Sequence, residues 1–271
     1  MPELPEVETI RRGVEPHVVG RTIREVTVRD PRLRWPIPAE FAAFARGRKI
    51  RAVGRRGKYL IFDLGGDRLI VHLGMTGRLL VLDPAAPLKK HDHVDLLLSG
   101  KVLLRFHDPR RFGAVLPWPA AEAQHALLAG MGPEPFSAEF SGDYLYQRSR
   151  GRRAAVKLFI MDGRMVVGVG NIYASEALFH AGIRPGTAAG KVTRAQYARL
   201  AEAILQVLRV AIEHGGTTLR DFRGSDGSNG YFQQELRVYD REHRPCYVCA
   251  TPIKRLVLGQ RSSFYCPSCQ R

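Results

Sequence analysis

The sequence lacks several things, and each absence narrows its class. No uninterrupted apolar run approaches the roughly 18 residues that a membrane-spanning helix requires. The opening stretch, MPELPEVETI, carries acids where an export signal needs basic and then apolar residues, so secretion is not expected. No cysteine occurs before Cys246, which leaves most of the chain without any possible disulfide framework. There is no internal repeat and no low-complexity tract. Acidic charge is scarce, with 26 Asp+Glu against 42 Lys+Arg and a formal net charge of +16.

What is present is a globular composition, 45% hydrophobic and 25% charged, which excludes a disordered chain. A length of 271 residues predicts two domains with a small appendage. The positive charge is spread along the whole sequence. Basic and acidic residues number 22 and 15 in 1–134, 13 and 9 in 135–236, and 7 and 2 in 237–271, so no single tail explains the excess. Two stretches have no acid at all. One holds Arg46, Arg48, Lys49, Arg51, Arg55, Arg56 and Lys58; the other holds Arg148, Arg150, Arg152, Arg153 and Lys157. One such run is ordinarily a solvated face. Two runs and a basic tail predict a surface that tracks phosphates, and hence a nucleic-acid partner.

Periodicity divides the chain into three textures. Val7, Ile10 and Val14 fall at helical spacing after Pro2 and Glu3, which predicts a first helix over 1–14. Thr22–Val28, Tyr59–Leu64, Leu69–Leu73, Leu79–Leu82, His93–Leu98 and Val102–Phe106 are short β-branched or Leu-rich runs, broken by Gly65-Gly66-Asp67 and Ser99-Gly100. They predict a β-sandwich. Residues 131–142 form a Gly/Pro-rich linker into helices at Ala154–Met161, Asn171–Ala181 and Thr193–His214, the last opened by a Thr193/Gln196 capping box. Residues 217–230, TTLRDFRGSDGSNG, are a polar loop, and strand texture returns over Arg237–Arg271. The expected fold is α+β and multidomain. Residues 1–134 form a β-sandwich with flanking helices, 135–236 a helical domain, and 237–271 a zinc-bound β-hairpin.

The hairpin expectation rests on Cys246, Cys249, Cys266 and Cys269, a C-x2-C-x16-C-x2-C pattern. Two CxxC turns supply the four thiolates of a closed tetrahedral zinc shell, with no open position for water, so one structural zinc ion is expected. Two disulfides would require an oxidising compartment, and a redox CxxC would need a βαβ context. Between the pairs, Ile253–Leu258 and Ser262–Tyr265 read as strands joined by Gly259-Gln260-Arg261, which places Arg261 at the tip.

The other chemical feature is Pro2. Loss of Met1 would leave a free secondary amine. An α-amino group has an ordinary pKa of about 7.7–8.0, so part of it is unprotonated and nucleophilic at neutral pH. Glu3 and Glu6 lie beside it as candidate proton carriers. Taken with MPELPEVET (1–9), HLGMTG (72–77), HDHVD (91–95), DPRRFG (108–113), VGVGNIYASEALF (167–179) and the four-Cys tail, the chain resembles the bacterial formamidopyrimidine-DNA glycosylases. These blocks occur in that family's order and span nearly the whole chain.

The resemblance implies a helix-two-turns-helix fold for the middle domain. It also implies a bifunctional glycosylase and abasic-site lyase that removes oxidised purines (8-oxoguanine and formamidopyrimidines) from double-stranded DNA. Pro2 would be the Schiff-base nucleophile, Glu3 the proton donor for base release and Lys58 the proton donor in β-elimination. Arg261 would act in δ-elimination, stabilising the leaving phosphate because arginine does not readily give up a proton. Met75, Arg110 and Phe112 would fill the gap left by an extruded base, with Arg110 facing the orphaned cytosine. His91, Arg152 and Asn171 would contact phosphate, Asn171 at a helix start where backbone N–H groups favour anions. Lys157 and the 217–230 loop would meet the flipped base. A metal at His91, His93 and Asp95 is not expected, since those residues alternate on a strand. The expectation is a monomer, although nothing in the sequence indicates or excludes a dimer, acting in the cytoplasm with no membrane partner. Two rivals are a sibling of the endonuclease VIII type, specific for oxidised pyrimidines, and a non-catalytic zinc-ribbon binder. The second gives no role to Pro2-Glu3 or Lys58.

Overall fold

The computed structural model describes residues 2–215 and 236–271. They divide into two compact units, 2–129 with 214–215, and 130–213 with 236–271.

The first unit opens with α1 (Leu4–Val18). Its buried stripe of Leu4, Val7, Ile10, Val14 and Val18 runs four residues past the expected end, because Val18 is fully buried and completes the last turn. Two antiparallel four-stranded sheets follow, in the orders β1-β6-β7-β5 and β2-β3-β4-β8. The first contains β1 (Ile23–Val28), β5 (Arg78–Leu82), β6 (Asp92–Leu98) and β7 (Val102–His107). The second contains β2 (Ala52–Arg56), β3 (Tyr59–Asp63), β4 (Arg68–His72) and β8 (Ala114–Trp118). Leu60, Phe62, Leu69 and Val71 from one sheet and Val94, Leu96, Leu104 and Phe106 from the other share a single core, which α1 and the short helix α2 (Phe41–Ala45) also join. This is the expected sandwich with flanking helices.

Three of these elements escaped the periodicity. β2 lies inside the first basic run, where Gly54, Arg55 and Arg56 hide the strand and Val53 alone is buried. β8 contains Pro117, which is tolerated because β8 is an edge strand. α2 has only five residues, anchored by Phe41 and Ala45.

The second unit holds α3 (Gly142–Ser149), α4 (Val156–Met161), α5 (Asn171–His180) and α6 (Arg194–Glu213). α5 is buried over all but its two terminal residues and is the central element of the unit. α6 has the predicted capping box: Gln196 N–H donates to Thr193 Oγ1 (3.2 Å) and Thr193 N–H to Gln196 Oε1 (2.9 Å). α3 was not expected from the sequence. Ser141 caps it by accepting from Tyr144 N–H at 3.1 Å, and the helix packs on α6.

Past the undescribed residues, the backbone N–H groups of Arg237, Val238 and Tyr239 all donate to the buried Glu176 carboxylate on α5, at 2.8–3.0 Å. The chain's last residues return to the end of the same helix. Arg271 N–H donates to Gly182 O (3.0 Å), and Gln270 Nε2 donates to Ile183 O (2.8 Å). Between these anchors the tail is mostly turns. Its strands are β9 (Lys254–Leu258) and β10 (Arg261–Tyr265), paired with Arg261 opposite Leu258. The turn is therefore Gly259-Gln260 alone, both with positive φ (52° and 62°), the signature of a tight two-residue hairpin. Arg261 is thus the first strand residue, not the tip.

Candidate active site and zinc centre

Pro2 is buried and leads directly into α1, with Glu3 as the helix N-cap. Glu6 Oε2 accepts from Glu3 N–H at 2.8 Å, and the Glu3 side chain accepts from the Glu6 backbone, a reciprocal box that fixes both carboxylates at the start of the helix. Glu3 and Glu6 are almost fully buried. The positive end of the helix dipole favours both carboxylates there.

Lys58 lies in the two-residue turn Gly57-Lys58 between β2 and β3, where Gly57 supplies a φ of 55°. The orientation of α1 on this hairpin follows from one ion pair and one hydrogen bond. Glu8 meets Arg55, next to the turn, at 3.3 Å, whereas Arg11, further along the helix, donates to Val53 O at 3.2 Å. The start of α1 therefore points toward the Lys58 turn. Burial alone would raise the Glu8 carboxyl, but the Arg11, Arg12 and Arg55 guanidiniums hold it below its ordinary range. His72, at the end of β4, packs against Tyr59 with ring centroids 4.7 Å apart and planes tilted by 41°, and its Nδ1 accepts from Gly74 N–H at 3.1 Å. Burial, reinforced by Lys58 and Arg34, pushes His72 down to about 4, so its ring is neutral near pH 7.

Met75 and Phe112 stand out into solvent, 41% and 42% exposed, on two neighbouring turns. The Arg110 guanidinium lies over the Phe112 ring at 4.7 Å. Gly74 has φ +60°, and a Cβ there would lie 2.4 Å from the Phe112 carbonyl carbon, so the two turns meet backbone to backbone. Isolated apolar side chains are usually core; these two are not. His91 is half-buried with φ 77°, and its ring lies 6.3 Å from that of His93 and 6.2 Å from that of His107. Burial, Lys90 and the neighbouring histidines lower its pKa. His93 Nε2 instead pairs with Asp108 O, and Asp95 pairs with Arg105 and Arg29, so HDHVD assembles no metal cluster among the described residues.

In the second unit Asn171 is the first residue of α5, and Gly170 rather than Asn171 is the N-cap. The Asn171 amide donates to Ser262 O (3.1 Å) and accepts from Lys157 Nζ (2.7 Å). Lys157 was expected to meet the flipped base. In this structure it is fully buried, and its ammonium also donates to Ser262 O (3.2 Å) and Ser263 Oγ (2.8 Å). It is a strut that joins α4, the start of α5 and β10, and so ties Asn171 to the residue after Arg261. Arg152 and Arg261 are exposed. The 217–230 loop falls outside the described residues. His72 and Glu176 fall within the blocks 72–77 and 167–179, but nothing in the sequence assigned either one its partners, and the strut at Lys157 had no signature beyond residue type.

The sulfurs of Cys246, Cys249, Cys266 and Cys269 all lie within 4.8 Å of one another. A zinc ion with Zn–S distances of about 2.3 Å places its tetrahedral sulfurs slightly under 4 Å apart, so the four residues fit the ion. The N–H groups of Val248 and Cys269 point at the Cys246 and Cys266 sulfurs at 3.4 Å, the pattern that supports thiolate ligands. The four thiolates would hold one structural zinc and leave it no position for substrate.

Three family profiles match the chain in order. They are the formamidopyrimidine-DNA glycosylase N-terminal domain over residues 1–115, the formamidopyrimidine-DNA glycosylase H2TH domain over 131–223, and the zinc finger found in FPG and IleRS over 245–271. The chain belongs to the formamidopyrimidine-DNA glycosylase family. It is 58% identical over 271 residues to the formamidopyrimidine-DNA glycosylase of Thioalkalivibrio sulfidiphilus and 57% identical to that of Hahella chejuensis, with 100% of both chains covered in each case. Among solved structures, the MutM (Fpg) protein from Thermus thermophilus superposes with a TM-score of 0.89 at 41% identity, covering 99% of this chain and 98% of that one. A Lactococcus lactis Fpg mutant in complex with Fapy-dG containing DNA gives 0.92 at 32% identity, with 100% of both chains covered. As a formamidopyrimidine-DNA glycosylase the chain is a base-excision repair enzyme with an H2TH domain and one structural zinc. No helix among its described residues is long and apolar enough to cross a membrane.

Proposed function

We propose that this glycosylase is bifunctional and works on double-stranded DNA carrying an oxidised purine. The observation that carries the reading is the buried Pro2-Glu3 pair at the head of α1, aimed toward the Lys58 turn. With Met1 removed, the Pro2 nitrogen attacks C1′ of the damaged nucleotide. The N-glycosidic bond breaks, and Glu3 delivers the proton that the departing base needs. The sugar ring opens to an iminium on Pro2, an electron sink that acidifies the C2′ proton. Loss of that proton expels the 3′ phosphate, with Lys58 serving the proton transfer, and a second elimination expels the 5′ phosphate beside Arg261. Met75, Arg110 and Phe112 occupy the gap left by the extruded base. His91, Arg152 and Asn171 hold phosphates. Functionally the chain divides into 1–134, 135–236 and 237–271, and it acts in the bacterial cytoplasm on DNA.

Borohydride trapping on duplexes with a single 8-oxoguanine opposite cytosine tests this. A covalent protein–DNA adduct is expected, and an N-terminal extension that blocks Pro2 abolishes it; equal trapping by the extended protein removes Pro2 from the mechanism. Excision from 8-oxoguanine and thymine-glycol duplexes is compared in parallel, and a clear preference for the pyrimidine lesion overturns the substrate assignment.

A further inference from the structure

Asp108 is fully buried, and every polar atom it presents is engaged by the two exposed turns or by the strand behind them. Oδ1 accepts from Thr76 Oγ1 at 2.7 Å and from Arg110 N–H at 3.3 Å. Oδ2 accepts from Gly113 N–H at 2.8 Å. Its carbonyl receives His93 Nε2 at 2.8 Å and Arg111 N–H at 3.3 Å, and its N–H donates to His91 O at 3.0 Å. Thr76 directly follows Met75, while Arg110 and Gly113 bracket Arg111-Phe112. One carboxylate thus holds both turns at the residues adjoining the exposed side chains. The backbone approach at Gly74 closes the same junction from the other side, and Arg111, with φ 58°, is tied outward to Asp30.

We propose that Asp108 is a positioning residue that makes Met75 and the Arg110–Phe112 turn a single rigid insert. Entry of the wedge into the duplex and contact with the opposite base then happen together. This rests on the reading that Met75, Arg110 and Phe112 fill the gap. The physical reason is that three hydrogen bonds to a buried carboxylate, made by groups on both turns, keep the inserted side chains in register. Two independently moving turns would have to be ordered at the moment of binding.

Two substrates separate this from a role in folding alone. A duplex with 8-oxoguanine opposite cytosine needs the gap filled; a single-stranded oligonucleotide with an abasic site does not. Asp108→Asn is expected to lower kcat/KM on the duplex by about 10- to 100-fold, the scale of a misplacement near 1 Å. It should also reduce the preference for cytosine over adenine opposite the lesion, with borohydride trapping on the single strand unchanged. Thr76→Val removes one of the three bonds and leaves the carboxylate, so it keeps the test valid if Asp108→Asn folds poorly. It is expected to give the same pattern at about fivefold, the equivalent of one ordinary hydrogen bond. Equal loss on both substrates would reduce Asp108 to a fold residue and overturn the proposal, as would unchanged duplex rates and unchanged opposite-base preference in both variants. Met75→Ala and Arg110→Ala are run alongside. If they leave the duplex-to-single-strand ratio untouched, the gap-filling reading itself fails, whatever the Asp108 variant does.

Discussion

Lys58 and Arg261, the two cations assigned to strand cleavage, stand on two hairpins that look alike locally and are supported in different ways. Each turn has two residues and opens with a positive-φ glycine, Gly57 at 55° and Gly259 at 52°. The β2–β3 hairpin belongs to a four-stranded sheet, with Leu60 and Phe62 in the main core and α1 ion-paired along β2. The β9–β10 hairpin is a sheet of two strands. Val257 is 65% exposed, and only Ser263 and Phe264 are buried, the latter in a small cluster with Val238, Ile253 and two of the cysteines. An isolated two-stranded hairpin is marginal at best. The first hairpin is held by hydrophobic burial; the second by the thiolate cluster, by Lys157 Nζ donating to Ser263 Oγ, and by a turn glycine where a Cβ would crowd Leu158. The same local geometry can therefore be reached with or without a core, and the two versions should fail under different insults.

Zinc removal should separate them most. Structural zinc sites carry roughly 10 kcal/mol or more of metal-linked folding free energy. Chelation, or Cys266→Ser, is expected to abolish amide-exchange protection in β9–β10 and leave β2–β3 protected. Loss of protection in both would show that the hairpins are not independently supported. Leu60→Ala attacks the other side. It removes a fully buried side chain and should cost about 2–5 kcal/mol by urea unfolding, with zinc content unchanged.

Acid should also distinguish them, through His72. Its folded pKa of about 4 lies below the ordinary 6.5, so the unfolded chain binds more protons between those values. The stability from keeping this ring neutral is complete above about pH 6.5 and falls as the pH drops toward 4, by at most about 3 kcal/mol. Urea midpoints should show this slope for the native chain and a flatter one for His72→Gln. The smallest effect expected is for Val257→Ala, within about 0.5 kcal/mol because the side chain is exposed on a strand with no core beneath it.

The parts of the molecule legible in the sequence were those where one pattern dominates. β-branched or Leu-rich runs such as Leu69–Leu73, the capped helix from Thr193 and the CxxC spacing each announce themselves through local chemistry. β2 did not, because its inward residues are few and Arg55 pairs with Glu8 of α1. Arg261 was displaced by one position because Gln260 takes the left-handed conformation that glycine usually supplies. The hydrogen-bonded setting of Lys157 was not legible, because a lysine inside a basic run gives no sign of burial. Its burial depends on acceptors more than 100 residues away, at Ser262 and Ser263. The residues grouped around Pro2 were legible only as types in a motif; that Glu3 and Glu6 lock one another in place required the helix.

The way the tail is fastened has a consequence for the metal. Residues 237–239 are clamped to Glu176 and residues 270–271 to Gly182 and Ile183, so the zinc segment is a loop whose two ends are fastened to α5 and the turn that follows it. Part of the entropy of gathering four thiolates is then met by contacts that do not involve zinc, and loop closure grows costly only slowly with length. Zinc thus ties together a segment whose two ends are fastened by other contacts, and its removal is expected to loosen the stretch between those ends first.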